Sequence, residues 1–145
     1  MRLQIALATV ILIASFPLVL SQQKKTKNRG PCANAMSQAS LNTCFCDRAE
    51  KADAELNDTY QQLLKKNASD TNFIEKLKIS QRAWVTFRDA QLEAIYPDPD
   101  PKMAYGSVFT MCECMAQEEL TIDRVKQLRR MLRSVEGDVC AWDDH

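Results

Sequence analysis

Ala52-Asp53-Ala54-Glu55-Leu56-Asn57-Asp58-Thr59-Tyr60 reads as a stretch of amphipathic helix whose apolar stripe is interrupted by charged and amide residues. Outward from it, the apolar and large residues fall at Leu41, Phe45, Ala49, Ala52, Leu56, Tyr60 and Leu63, in steps of three or four throughout. A period near 3.6 belongs to one long helix with a single buried face. Two later stretches have the same character: Gln81-Arg82-Ala83-Trp84-Val85-Thr86-Phe87-Arg88-Asp89-Ala90 and Thr121-Ile122-Asp123-Arg124-Val125-Lys126-Gln127-Leu128. Together they predict a helical bundle with a polar layer inside it, a plan that suits a binding module better than an enzyme.

Asn67-Ala68-Ser69-Asp70 interrupts the first helix, and Asp70 is placed to cap the next by accepting backbone N–H groups. The second helix carries Ile74, Leu77, Trp84, Phe87, Leu92 and Ile95 and stops at Pro97. So short a link makes two long helices antiparallel neighbours. Pro97-Asp98-Pro99-Asp100-Pro101 is expected to be a stiff, acidic, extended loop, because each proline lacks an N–H and disfavours helical geometry in the residue before it. Gly106-Ser107 offers a turn and an N-cap. Phe109, Cys112, Ala116 and Leu120 then begin a third helix, continued by Leu128, Met131, Leu132 and Val135 as far as Gly137. Thr121 either sits inside that helix or starts a fourth. No segment alternates as a strand would, so the expected fold is an all-α antiparallel bundle of three to four helices stapled by disulfides.

The first 21 residues carry one basic side chain, Arg2, and then an apolar run from Leu3 to Leu20 that ends in small residues. This is the pattern of a secretory signal peptide. An uncleaved anchor is the rival reading, since about 20 apolar residues can span a bilayer, but Thr9, Ser15 and Pro17 count against it. Gln22 to Pro31 is polar and basic, without apolar periodicity. The chain therefore divides into a signal peptide (1–21), a flexible basic leader (22–35), a helical domain (36–136) and a C-terminal tail (137–145). Export places the protein in the periplasm or outside the cell, with no stable membrane span after cleavage. The 19 basic residues balance 19 acidic ones, which gives no reason to expect nucleic acid as a partner.

Six cysteines follow the signal peptide: Cys32, Cys44, Cys46, Cys112, Cys114 and Cys140. An even number in a small exported domain reads as a disulfide framework. A four-thiolate zinc site from the two Cys-x-Cys pairs is the alternative, but structural zinc favours a two-residue spacer and an oxidising compartment favours disulfides. Residues two apart on a helix point about 200° apart. One cysteine of each pair is therefore expected to bridge the first and third helices, leaving the others to reach Cys32 or Cys140. If the third helix is continuous, Cys140 lies at the far pole, about 30 Å away at 1.5 Å rise per residue, and is then unpaired or intermolecular.

Arg88 falls between Trp84 and Leu92, and Arg124 between Leu120 and Leu128, so both guanidinium groups point toward the core side. There an unpaired charge would be very costly. Asp53, Glu55, Asn57 and Gln81 are the expected partners, in a network with bidentate Arg–carboxylate contacts that fixes helix register. An active site built from the same groups is the alternative. It is disfavoured because an arginine beside an acid lowers its pKa and makes it a poor proton donor or base near neutrality. Tyr60 and Trp84 are read as core aromatics. No nucleophile motif, phosphate loop or metal-spaced histidine cluster is present, and the sole histidine, His145, is the last residue. No catalytic residue, cofactor or metal site is expected.

With these blocks in place, the chain resembles the N-terminal domain of the LprI lysozyme-inhibitor family of exported bacterial proteins. The resemblance spans about Met36 to Leu132. It rests on Ala52-Asp53-x-Glu55-Leu56-Asn57-x-x-Tyr60, Gln81-x-x-Trp84-x-x-x-Arg88-Asp89-Ala90, Gly106-Ser107 and Leu120-Thr121-x-x-Arg124-x-x-x-Leu128. Cys44 also sits where members often carry a cysteine. Two other family cysteine positions hold Leu92 and Ala116 here. This departure implies that one family disulfide is missing, with Cys112 and Cys114 supplying different bridges. The resemblance implies an all-α domain and a non-catalytic protein that binds a protein partner, lysozyme in the characterised members. Asp98 and Asp100, on the rigid loop, are the candidate partner contacts, with an envelope interaction or immunity-type module as the alternative role.

Overall fold

The computed structural model describes residues 32–133. The expected signal peptide, the leader up to Pro31, and Val135, Gly137, Cys140 and His145 lie outside the described residues. Ser37 starts the first helix. Its hydroxyl accepts from the Ser40 backbone N–H at 3.1 Å, and the Ser40 hydroxyl accepts from the Ser37 N–H at 3.0 Å. This reciprocal cap satisfies two N–H groups that have no helical partner. Helix α1 then runs Gln38–Lys66 and buries Ala49, Ala52, Leu56, Thr59 and Leu63, one stripe of period 3.6. The Asp70 carboxylate accepts from Phe73 N–H at 2.9 Å and opens α2, Thr71–Ile95. Tyr96 closes α2, and where an extended loop was expected the chain bends at Pro99 and Asp100, with Asp98 accepting from Asp100 N–H, before Pro101.

One stretch departs from the expectation drawn from its prolines. Pro101 is the first residue of a short helix, α3, Pro101–Tyr105, with Asp100 as its N-cap. Proline fits there because the first helical N–H has no helical acceptor anyway and the ring presets φ. Gly106 ends α3 at φ 68°, a backbone geometry that favours glycine. A single 3-10 turn, Gly106–Val108, leads directly into α4, Phe109–Arg133. Ser107 was expected to cap that helix; its observed long-range contact is instead its carbonyl, which accepts from Asn42 Nδ2 at 3.1 Å. Helix α4 is continuous through Thr121, which is fully buried inside it.

Helices α1 and α4 run parallel and pack along their length, whereas α2 lies more loosely against them. The parallel register is visible in Cys46 joined to Cys114, Asp53 beside Thr121 and the Lys66 ammonium on the Leu132 carbonyl. The three long helices stack three kinds of contact along one axis. At the pole of the α1–α2 link is an apolar core of Leu56, Leu63, Leu77, Val125 and Leu128, flanked by Tyr60, Phe73, Trp84 and Met131. A polar layer occupies the middle. Disulfides and aromatic rings hold the opposite pole, where Phe109 is the buried large side chain. Among the described residues there is no strand, and no helix is long and apolar enough to cross a membrane.

Candidate functional site

Asp53 is the hub of the polar layer. Its carboxylate accepts from Gln117 Nε2 at 3.0 Å, from the Thr121 hydroxyl at 3.2 Å and, at 3.5 Å, from Arg88 Nη1. Arg88 donates a shorter bond from Nε to its neighbour Asp89 at 2.9 Å. Arg124 is held differently from the expected carboxylate pairing: it donates to the Gln81 side chain at 3.1 Å, to Gln127 at 3.0 Å and to the Ser80 hydroxyl at 2.9 Å. Burial lowers its pKa, because losing water disfavours the charged form. Both guanidinium groups stand over the Trp84 ring, with central carbons 5.4 Å (Arg88) and 6.0 Å (Arg124) from its centroid. The indole face offers both cations electrostatic attraction where few water molecules can. Tyr60 and Trp84 are half-buried and pack against the apolar core.

Two expected members are absent from this layer. Glu55 and Asn57 flank Leu56, so they project about 100° to either side of the buried stripe. Asn57 is exposed, and Glu55 pairs with Arg129 at the surface. The layer instead recruits Ser80, Gln117, Thr121 and Gln127, neutral residues that a search for charge partners passes over. Thr121 carries the one signal that was available, since it falls on the buried stripe with Arg124 and Leu128.

At the opposite pole, Cys46–Cys114 staples α1 to α4, with Cα atoms 4.9 Å apart, and Cys32–Cys44 ties the preceding turn back onto α1. Cys32 is buried and its carbonyl accepts from Ala35 N–H, so residues 32–35 form a turn attached to the domain where a flexible leader was expected. Cys112, expected to supply a bridge, is half-buried and unbridged among the described residues; Cys140 lies outside them. Arg48 closes this end with a 2.9 Å ion pair to Glu118.

The acidic loop stands on the same pole. Asp98 accepts from Asp100 N–H at 2.9 Å, and Asp100 accepts from Met103 N–H at 3.2 Å, so both candidate contact residues also shape the backbone. Both stay exposed. Between the end of α2, this loop and the start of α4 lies a cleft of about 370 Å³. Its lining joins Asp89, Glu93, Asp98 and Glu113 with the rings of Tyr96 and Phe109. Those rings meet edge to face at 5.2 Å between centroids, and Tyr105 stacks on Phe109 at 6.1 Å. Burial raises the Tyr96 pKa, with Cys112, Glu113 and Tyr105 adding to the shift, so its phenol holds its proton. Among the described residues no group of histidine, cysteine or carboxylate side chains stands together as a metal site would. The lining of the cleft is acidic and partly aromatic, with no basic side chain.

Residues 31–128 match the family model described as lysozyme inhibitor LprI. The chain belongs to the LprI lysozyme-inhibitor family. The matched segment begins beside Cys32 and ends at Leu128, so the LprI segment takes in both disulfides, the polar layer and the cleft. An uncharacterised protein of Rhizobium meliloti (strain 1021) is 34% identical over 122 residues, covering 73% of this chain and 81% of its own length. No solved structure matches the chain. At the two positions where the resemblance implied family cysteines, Leu92 lines the cleft from α2 and Ala116 lies half-buried in α4.

Proposed function

We propose that the protein is an exported, non-catalytic inhibitor that binds a peptidoglycan-degrading muramidase of the lysozyme type. The observation that carries this reading is membership of the lysozyme inhibitor LprI family across residues 31–128. The two disulfides fit an oxidising compartment, periplasmic or extracellular, which is also where such an enzyme acts. The contact surface is assigned to the acidic pole, with Asp98 and Asp100 on a loop that proline and two side-chain caps keep rigid. A rigid loop loses little conformational freedom on docking, and its charge is complementary to a basic enzyme surface. The test mixes purified protein with lysozyme and follows clearing of a cell-wall suspension. Slowed lysis is expected; full-rate lysis at molar excess rejects the reading.

A second reading, an envelope interaction or immunity-type module with another protein target, draws support from α2, where Ile79, Phe87 and Ile95 are each 44–53% exposed, successive ones turned by about 80° around the helix. Affinity capture from an envelope fraction, with and without lysozyme as competitor, separates the two. A capture that lysozyme does not displace favours the second.

A further inference from the structure

The acid–aromatic cleft is more than a part of the acidic surface, because its four carboxylates are not equivalent. Asp89 is neutralised by Arg88 at 2.8 Å, and Asp98 is occupied with the backbone of its own loop. Glu93 on α2 and Glu113 on α4 face the same space from opposite sides and make no hydrogen bond or ion pair among the described residues. No basic side chain lines the cleft. The negative end of α2 and the positive end of α4 both point here and offset each other, so the two glutamates set its sign. The half-buried ring of Tyr96 shares the lining with them and rests on the buried Phe109.

Two uncompensated carboxylates beside an accessible aromatic ring match one chemical group closely. A guanidinium is planar, stacks on aromatic faces and donates to carboxylates through a fixed fork. An ammonium can use the carboxylates but matches neither the plane nor the fork. The volume, about 370 Å³, lies at the lower end of the roughly 300–1,000 Å³ typical of ligand pockets. That is room enough for one long side chain. We infer that the cleft between α2, the Pro97–Pro101 loop and α4 receives a single arginine side chain of a basic protein partner, clasped by Glu93 and Glu113 beside Tyr96, whose ring is backed by the buried Phe109. This rests on the inhibitor reading for the identity of the partner, but the cleft's preference for a guanidinium can be measured without it.

Two arms test it. In the first, amide chemical shifts of the disulfide-intact protein are followed during titration with N-acetyl-arginine amide and, separately, with the uncharged citrulline analogue. Shifts confined to Glu93, Tyr96, Phe109, Glu113 and their neighbours, produced by arginine alone, are expected. No localised shifts, or equal shifts with citrulline, overturn the inference. In the second arm, lysozyme affinity is compared between the wild type, Glu93→Gln/Glu113→Gln and a charge-matched control, Glu50→Gln/Glu75→Gln, on exposed positions outside the cleft. The cleft variant is expected to bind about tenfold more weakly or worse, with a shallower dependence on salt, at an unchanged melting temperature; the control is expected to bind as the wild type does. Equal weakening in both variants overturns the arginine site while leaving the inhibitor reading intact. Absence of any lysozyme binding by the wild type defeats the inhibitor reading instead, and the arginine titration then decides the cleft by itself.

Discussion

Asp53 draws hydrogen bonds from two other helices, through Arg88 on α2 and Gln117 and Thr121 on α4. Thr121 is fully buried, so losing its acceptor leaves a hydroxyl with neither water nor a partner. Asp53→Ala is expected to cost about 1–3 kcal/mol, the usual penalty for a stranded buried polar group, read as a fall of several degrees in Tm. Asp53→Asn keeps an acceptor for Thr121 and should cost less than half as much. Arg124 poses a different case, since its partners are neutral side chains that can turn to water if the charge is removed. Arg124→Met keeps the stem packed beside Trp84 and should stay within about 1 kcal/mol of wild type. Arg124→Ala opens a gap there and should lose roughly 1–3 kcal/mol. Equal losses in both variants would show that the guanidinium hydrogen bonds, and not the packing of the stem, hold that position.

The elements differ in how they are held. Cys46–Cys114 closes a span of 68 residues between α1 and α4, whereas Cys32–Cys44 closes one of 12. By loop-closure entropy the first is worth about 4 kcal/mol and the second about 3. Removing the pair Cys46 and Cys114 by substitution with alanine should therefore lower Tm more than removing Cys32 and Cys44, as scanning calorimetry can check. Helix α2 has no covalent tie to its neighbours among the described residues, and Leu77 is its one buried side chain. Its contact with the α1–α4 pair runs largely through Trp84, Arg88 and the groups around Arg124. Local opening follows such differences in burial. Hydrogen exchange should be faster in the C-terminal half of α2 than in the middle of α1 or α4, and comparable rates in all three would contradict the loose packing described for α2.

At the scale of the whole molecule, the parallel α1–α4 pair, the capped start of α2 and the stop at Pro97 were legible from helical period, Asp70 and the prolines. These depend on local chemistry that sequence states directly. The composition of the polar layer was only partly legible. Asp53, Arg88, Gln81 and Arg124 stand in it, but the sequence reading placed Glu55 and Asn57 there by proximity in the chain, where angle about the helix axis decides. The neutral partners of Arg124 were missed because charge alone does not require them. The cleft was not legible at all: Glu93 and Glu113 are 20 positions apart on different helices, and only the fold brings them to one space. In the proposed function, stability and recognition are separated along the axis, with the polar layer assigned to holding register and the acidic pole to meeting a partner.

The proposed function requires stoichiometric inhibition without catalysis. The direct measurement is the rate of cell-wall lysis by a fixed amount of lysozyme, titrated with the disulfide-intact protein at several preincubation times. Lysis should slow in proportion to added protein until about one equivalent is present, and the inhibited fraction should not grow with preincubation. An unchanged rate at excess, or inactivation that deepens with time at substoichiometric protein, would contradict it.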